Sequence, residues 1–361
     1  LVGFFGFGRN PTDDYTAGPF NAAGSSKTGV AACYLANGET LRDAYLNGDD
    51  INAIGFAPAV VPGSPCTNLG VYQNGHIVPQ RAKGSGFTHR LNAQWKPHPG
   101  LMVYATWSRG FRPGGINRRA DVGPYDPDYL TNYELGWKAT LGRVRWNTAL
   151  FHERWSKFQF AFLGANSFTE IHNAKNAEIN GVETDLSFVQ GGWTLNAAAA
   201  YTDAKTKGNI CTNFGDTTPD CSADGDFIAA PDGTRLPITP RFKATATARY
   251  SWPVWADTKA HVQGSVTYRG SAPSSLRTDI ALVGTGEHVD PNVFQGYLRS
   301  ATLVDVFAGL DFKQWNIEAF ATNLFDVRDD LSRTTACGSC TRVLVVPGRP
   351  RTIGLRAGVK F

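Results

Sequence analysis

The stretch RGFRPGGINRR carries Arg109, Arg112, Asn117, Arg118 and Arg119 within eleven residues. A guanidinium presents a planar fork of N–H donors that matches carboxylates, phosphates and other oxyanions, so this spacing points to an anionic ligand. Solvated loop charges, or contacts to lipopolysaccharide phosphates, would use the same residue types, and the sequence leaves both readings open. Further on, FQFAFLG sets Phe158, Phe160 and Phe162 at alternate positions. Such a trio either stacks a ligand, through Phe160 and Phe162, or girds a membrane interface.

The six cysteines fall into three local pairs, Cys33 with Cys66, Cys211 with Cys221, and Cys337 with Cys340. All lie in expected long loops, which reads as loop-stapling disulfides formed in an oxidising compartment. The CGSC at 337–340 has no second CxxC, no histidine pair and no βαβ surroundings, so neither a zinc site nor a redox site is indicated. Catalytic signatures are missing as well: there is no GxSxG elbow, P-loop, HExxH or strand-following GxGxxG. The seven histidines are scattered, with His89, His152 and His261 inside expected strands. No enzyme, metal or cofactor is expected.

Something must hold these loops, and the pattern between them is β. A net charge of +4 gives no case for nucleic acid, and no run of 18 apolar residues offers a membrane-spanning helix. Alternating strands can still cross a bilayer, because only half of each strand faces lipid. The chain ends on RTIGLRAGVKF, with Ile353, Leu355, Ala357, Val359 and Phe361 on one side and Thr352, Gly354, Arg356, Gly358 and Lys360 on the other. Hairpins are expected over 84–95 with 101–109, 131–141 with 144–158, 177–189 with 193–203, 241–251 with 258–270, and 299–312 with 315–325, followed by 351–361 alone. Residues 9–83, rich in Gly, Pro and Asn, show no assignable hairpin.

Turns within the pairs are short and connections between them are long and polar, an asymmetry that suits an outer-membrane barrel better than a compact soluble domain. Trp95, Trp146, Trp193, Trp252, Trp255 and Trp315 cluster near the short turns, as an aromatic belt would. Alternation places Glu134, Lys138, Glu183, Asp185, Asp305 and Asp311 on the face away from lipid. The stretch 144–158 alternates less cleanly, and its face is left open.

Several of these segments resemble TonB-dependent outer-membrane receptors: LMVYATWSRGFRPGGINRR, YELGWKATL, NAKNAEINGVETDLSF, LPITPRFKATATARY, ATNLFDVRDD and the terminal PGRPRTIGLRAGVKF, in family order over 84–361. The resemblance implies an all-β, antiparallel transmembrane barrel of about 22 strands around a plugged lumen, of which this chain is the C-terminal portion. Eleven strands from residue 84, with residues 1–8 as an earlier one, make about twelve. Residues 1–83 are accordingly expected to hold that upstream strand and a long extracellular loop region, and 84–361 the C-terminal barrel strands. A plug and a TonB box are not visible.

The implied function is TonB-dependent uptake of a scarce large nutrient such as a ferric siderophore. The implied partners are the TonB complex, through a segment outside this sequence, lipopolysaccharide, and the outer-membrane assembly machinery. That machinery would read the closing strand through Leu355, Val359 and Phe361. Two rivals remain open: a complete barrel of about twelve strands acting as a passive channel or small barrel enzyme, and a soluble β-sandwich adhesin.

Overall fold

The computed structural model describes residues 35–39, 47–49, 51–54, 70–73, 76–79, 81–117, 123–163, 169–212, 221–222, 227–255, 257–281, 287–335 and 342–359. The expected strand at 1–8, together with Phe361, Arg118, Arg119, Cys33, Cys66, Cys337 and Cys340, lies outside the described residues.

In chain order the strands are β1 (Gly70–Gln73), β2 (His76–Pro79), β3 (His89–His98), β4 (Leu101–Arg112), β5 (Asp128–Leu141), β6 (Val144–Ser156) and β7 (Gln159–Leu163). There follow β8 (Thr169–Asn173), β9 (Asn176–Gln190), β10 (Trp193–Lys207), β11 (Ile210–Thr212), β12 (Phe227–Ala230), β13 (Phe242–Trp255) and β14 (Thr258–Arg269). The last are β15 (Ile280–Ala281), β16 (His288–Val289), β17 (Ala301–Asp311), β18 (Trp315–Thr322), β19 (Asp330–Thr335), β20 (Val343–Pro347) and β21 (Thr352–Val359).

Eleven of them form one antiparallel sheet in the order β3-β4-β5-β6-β9-β10-β13-β14-β17-β18-β21. Each wall strand pairs with the next wall strand along the chain, so the sheet is a meander. The expected hairpins are all present, with boundaries shifted by a few residues. The short turns carry glycine where the backbone requires it: Gly142, Gly191 and Gly192 have φ of 62°, 53° and 89°, values that L side chains adopt only under strain.

Two features depart from the sequence reading. The long connections are not structureless, since four carry small hairpins of their own: β7–β8, β11–β12, β15–β16 and β19–β20. The region before residue 84 also holds a hairpin, β1–β2, and a short helix Ile51–Ile54. Its signal was available in Asn74-Gly75, the dipeptide most suited to a two-residue hairpin turn, but the flanking strands are only four residues each.

Register settles the faces, because residues directly opposite one another in an antiparallel pair lie on the same side. One side carries Leu91, Leu135, Leu150, Leu186, Leu195, Val266, Ile317 and Leu355, all exposed. The other carries Glu134, Lys138, Glu183, Asp185 and Asp305, as expected. In β6, Trp146, Thr148, Leu150 and His152 fall outward, while Asn147, Ala149, Phe151, Glu153 and Trp155 fall inward. That strand was illegible because its inner face holds Phe151 and Trp155 and its outer face Thr148 and His152.

Candidate ligand-facing site

The inner face and the loop assembly above it make the candidate site. A concave space of about 640 Å³ opens on the inner wall, lined among others by Tyr104, Lys138, Asn147, Glu183, Asp185 and Lys243. These come from successive strands because every second residue points inward. Tyr104 donates its hydroxyl to Glu134 at 2.6 Å and Asn147 donates to Asp185 at 2.9 Å, so several of the polar groups are already oriented. The surface offers both signs of charge, which suits a large polar guest rather than a bare ion of one sign.

Nearer the short turns, five residues from five strands join across the inner wall. His261 places Nδ1 3.0 Å from Asp311 Oδ2 and Nε2 3.0 Å from Glu318 Oε2. Arg249 reaches Asp311 at 3.5 Å, and Arg356 pairs with Glu318. His261 itself is buried. The chain of contacts ties β13, β14, β17, β18 and β21 into one charged girdle.

At the opposite end the loops are clipped to one another by buried polar side chains. Asp128 is 2% exposed, and its Oδ2 accepts from Arg112 at 2.6 Å, from Trp155 Nε1 at 3.1 Å and from the Gln159 amide at 3.0 Å. Gln159 then donates its side-chain amide to the carbonyls of Pro113 and Asp126, both at 2.9 Å. Asn117 accepts from the Ile171 amide at 2.8 Å and donates to the Ile171 and Gly123 carbonyls at 2.9 and 3.0 Å. The loop that carries the arginines is thereby fastened to the β7–β8 hairpin.

Asn292 and Asn323, also buried, do the same for two other loops. Asn292 accepts from the amides of Ser274 and Ser275, and Asn323 donates to the carbonyls of Val327 and Arg349. Beneath these clips Phe158, Ala174, Ala177, Ile210, Ala230 and Leu276 make a small apolar core, with Trp155, Phe160 and Leu236 packed against it. Burial pushes the nearby Arg277 guanidinium down to about 10, against the pull of the Glu170 carboxylate, so it remains charged at neutral pH.

Of the residues singled out in the sequence, Arg112 and Asn117 come together in the Asp128 and β7–β8 contacts. Arg109 stands apart, on the outward face, with its guanidinium 4.5 Å from the Tyr129 ring centre. Phe158 is buried in the loop core and Phe160 packs on it, which removes both from a lipid girdle. Phe162 pairs through its backbone with Glu170. Cys211 and Cys221 form a disulfide, with Cα atoms 5.2 Å apart, beside the β11–β12 hairpin. Leu355 and Val359 face outward and are exposed.

Sequence reasoning passed over Asp128, Gln159, Asn292 and Asn323. Single polar residues at strand ends and in loops carry no periodicity, so their partners, 46 residues away in the case of Gln159 and Pro113, become apparent only in the fold.

Residues 67–324 match the family model described as TonB dependent receptor-like, beta-barrel. The chain belongs to this family. Its exposed face is therefore the lipid face of an outer-membrane barrel, and the family is one of receptors and transporters rather than enzymes.

Three solved receptors share the wall. The ferric yersiniabactin uptake receptor FyuA from Yersinia pestis is 17% identical, with 80% of this chain and 39% of that one covered at a TM-score of 0.58. The siderophore receptor PiuA from Acinetobacter baumannii is 14% identical, with 80% and 37% covered at 0.56. The ferric-catecholate import receptor Fiu from E. coli is 18% identical, with 84% and 39% covered at 0.54. The chain thus spans about two fifths of the length of these structures, and identities this low speak for the fold alone.

Proposed function

We propose that the receptor to which this wall belongs takes up a ferric siderophore or a comparable large chelate across the outer membrane, driven by the TonB complex. The observation that carries this reading is the family match over 67–324, combined with a clipped loop assembly above a polar inner wall. In this reading the loops make the first contact with the ligand from outside, and Lys138, Glu183, Asp185 and Lys243 present the inner surface past which it moves. The outer-membrane assembly machinery is the partner of β21, whose outward Leu355 and Val359 it would read during insertion.

The test is uptake of radioactive iron by iron-starved cells carrying the full-length receptor, supplied with a panel of ferric siderophores, in TonB-replete and TonB-deficient backgrounds. Receptor-dependent uptake of at least one chelate, abolished without TonB, is expected. Uptake that persists without TonB would favour the passive-channel rival, and no uptake of any chelate would overturn the cargo class.

A further inference from the structure

The last long connection of the wall is a single hairpin, interrupted once. β18 and β21 pair as far as Thr322 opposite Thr352, and the ladder resumes at Asp330 opposite Pro347 in β19 and β20. In the gap the Gly348 amide donates to the Asp329 carbonyl at 2.8 Å, and Asn323 donates to the Arg349 carbonyl at 2.9 Å. β19 therefore stands above β18 and β20 above β21, each running in the direction of the wall strand that it continues.

The two edges of this upper hairpin are unlike. On the β19 side, Arg269 donates to the Asp330 carbonyl at 2.8 Å and to Asp329 at 3.1 Å. Arg333 donates to the Gln295 carbonyl at 2.7 Å, at the end of the short helix Pro291–Gln295. β20 pairs with β19 and, among the described residues, with no other strand. It reads VLVVP, without a charge, and its one proline is the last residue. The irregularity in the ladder falls between Asp330 and Ser332, in β19. Side chains on both faces of β20 are exposed, with Leu344, Val345 and Val346 at 44%, 41% and 53%. Free edges in water carry charges, bulges or proline that stop other strands from adding, whereas an apolar, β-branched edge invites addition.

We infer that β20 is the outer half of a seam: the strand of the full-length receptor that pairs with β21 in the membrane runs on past Thr352 and adds, antiparallel, to the open edge of β20. The open edges of β20 and β21 lie on the same side, away from β17 and Arg269, and the two strands run in the same direction, so one partner strand fits both. A barrel leaves no edge unpaired in lipid, which requires such a neighbour for β21. The chain covers 39% of FyuA, so a receptor of that length has ample sequence elsewhere to supply it. Flanking all of β20 takes about nine residues beyond the level of Thr352, roughly 30 Å of extended chain. The inference stands on family membership and does not depend on the cargo. Its consequence is that β19–β20 is a fixed post, which joins the loops of this wall by backbone to the rest of the receptor.

The experiment is residue-resolved hydrogen–deuterium exchange on the full-length receptor in detergent, at a dilution where light scattering finds only monomer. Along an antiparallel strand alternate amides face opposite neighbours, so an open edge leaves every second amide of Val343–Val346 unprotected. Consecutive protection of Leu344, Val345 and Val346 is expected, each at least about tenfold slower than an unstructured amide. Alternating fast and slow exchange would overturn the inference. Protection seen only at concentrations where the receptor dimerises would overturn it in favour of a second copy.

A photo-crosslinking residue placed at Leu344 or Val346 identifies the partner. A cross-link within the monomer to a peptide outside this sequence is expected, and cross-links confined to residues 1–361 would overturn the assignment. Leu344→Pro and Val345→Pro test the same point, because their amides face opposite sides of the strand and proline is tolerated only where the amide is unpaired. With the edge covered, both raise exchange across 343–347; a silent variant of the two would show that the edge is open. Each variant is first checked for a heat-modifiable barrel, and should either fail to fold, exchange in the unchanged receptor decides.

Discussion

The Tyr104 ring lies across the strand pair from Gly136 and fills the space that a side chain there would need, with a built Cβ meeting the ring at 2.6 Å. The same cross-strand arrangement recurs on the inner face, with Phe151 over Gly181, His261 over Gly309 and Phe320 over Gly354. A ring laid on a glycine covers backbone that has no side chain of its own, so each pair acts as a unit.

Two of these pairs separate ring from backbone. At Gly354 the neighbours within reach are atoms of the Phe320 ring, the far end of a side chain that can turn aside. At Gly181 a new Cβ also meets the Tyr201 carbonyl at 2.6 Å, which cannot move without breaking the ladder. Gly354→Ala is expected to cost about 1 kcal/mol and Gly181→Ala about 1–3 kcal/mol. Adding Phe320→Ala should relieve much of the first, whereas adding Phe151→Ala should leave most of the second. The temperature at which the heat-modifiable band is lost reads all four, and equal rescue in both pairs would refute the distinction.

Asp128 is the hub of the loop clip, and removing it strands three donors at once. Asp128→Ala is expected to loosen the segment 113–117 from the β7–β8 hairpin at a local cost of about 1–3 kcal/mol, tempered because Arg112 is half exposed and can rehydrate. Asn117→Leu, which removes both donor and acceptor, should act in the same direction. The measurement is the rate of limited proteolysis in this loop on the folded receptor. Faster cleavage with an unaltered barrel melting temperature is the expected result, and unchanged cleavage would show that the clip is dispensable.

His261 bridges two carboxylates that would otherwise face each other across β14, β17 and β18. Replacing it by Leu leaves Asp311 and Glu318 to their arginines alone, and a loss of about 1–3 kcal/mol is expected. Adding Glu318→Gln removes one of the two like charges but strands Arg356, so only part of the loss should return. Thermal loss of heat-modifiability measures this, and an unchanged midpoint in the His261→Leu protein would mean that the girdle is ornamental to stability.

The wall was legible in the sequence because its strands, β6 excepted, repeat the same two-residue alternation over many residues, with short turns at one end only. Leu195 beside Asn196, or Ile353 beside Gly354, declares its face without further information. The loop site was largely illegible for the opposite reason. Asp128, Gln159 and Asn292 each contribute one side chain to contacts made across loops, and nothing in their neighbours' spacing announces it. Arg109 shows the middle case: its type suggested an anion, but alternation from Trp107 through Phe111 puts it on the outer face, away from Arg112 and the inner wall. Phe158 and Phe160 share the aromatic character of a girdle, and only the packing of Ala174, Ile210 and Leu276 against them places them in the loop core.

The assignment of faces is the foundation for all of this, and adjacent residues in β14 test it. Val266 is 45% exposed, pairs with Ala246 and Val304, and lies on the apolar side well within the strand. Thr267, the next residue, points to the inner wall beside Thr245, at 3.3 Å between hydroxyls. An arginine on the lipid side must bring its charge into hydrocarbon or bend toward the headgroups, at a cost of about 2–4 kcal/mol near the midplane that falls to about 0–1 kcal/mol at the interfaces. An arginine on the inner wall keeps access to water and to the carboxylates there. Val266→Arg is therefore expected to lower the amount of folded receptor in the outer membrane several-fold, while Thr267→Arg leaves it nearly unchanged. Comparing heat-modifiable band intensities from isolated outer membranes decides the matter, and a Thr267→Arg protein more impaired than the Val266→Arg protein would invert the wall.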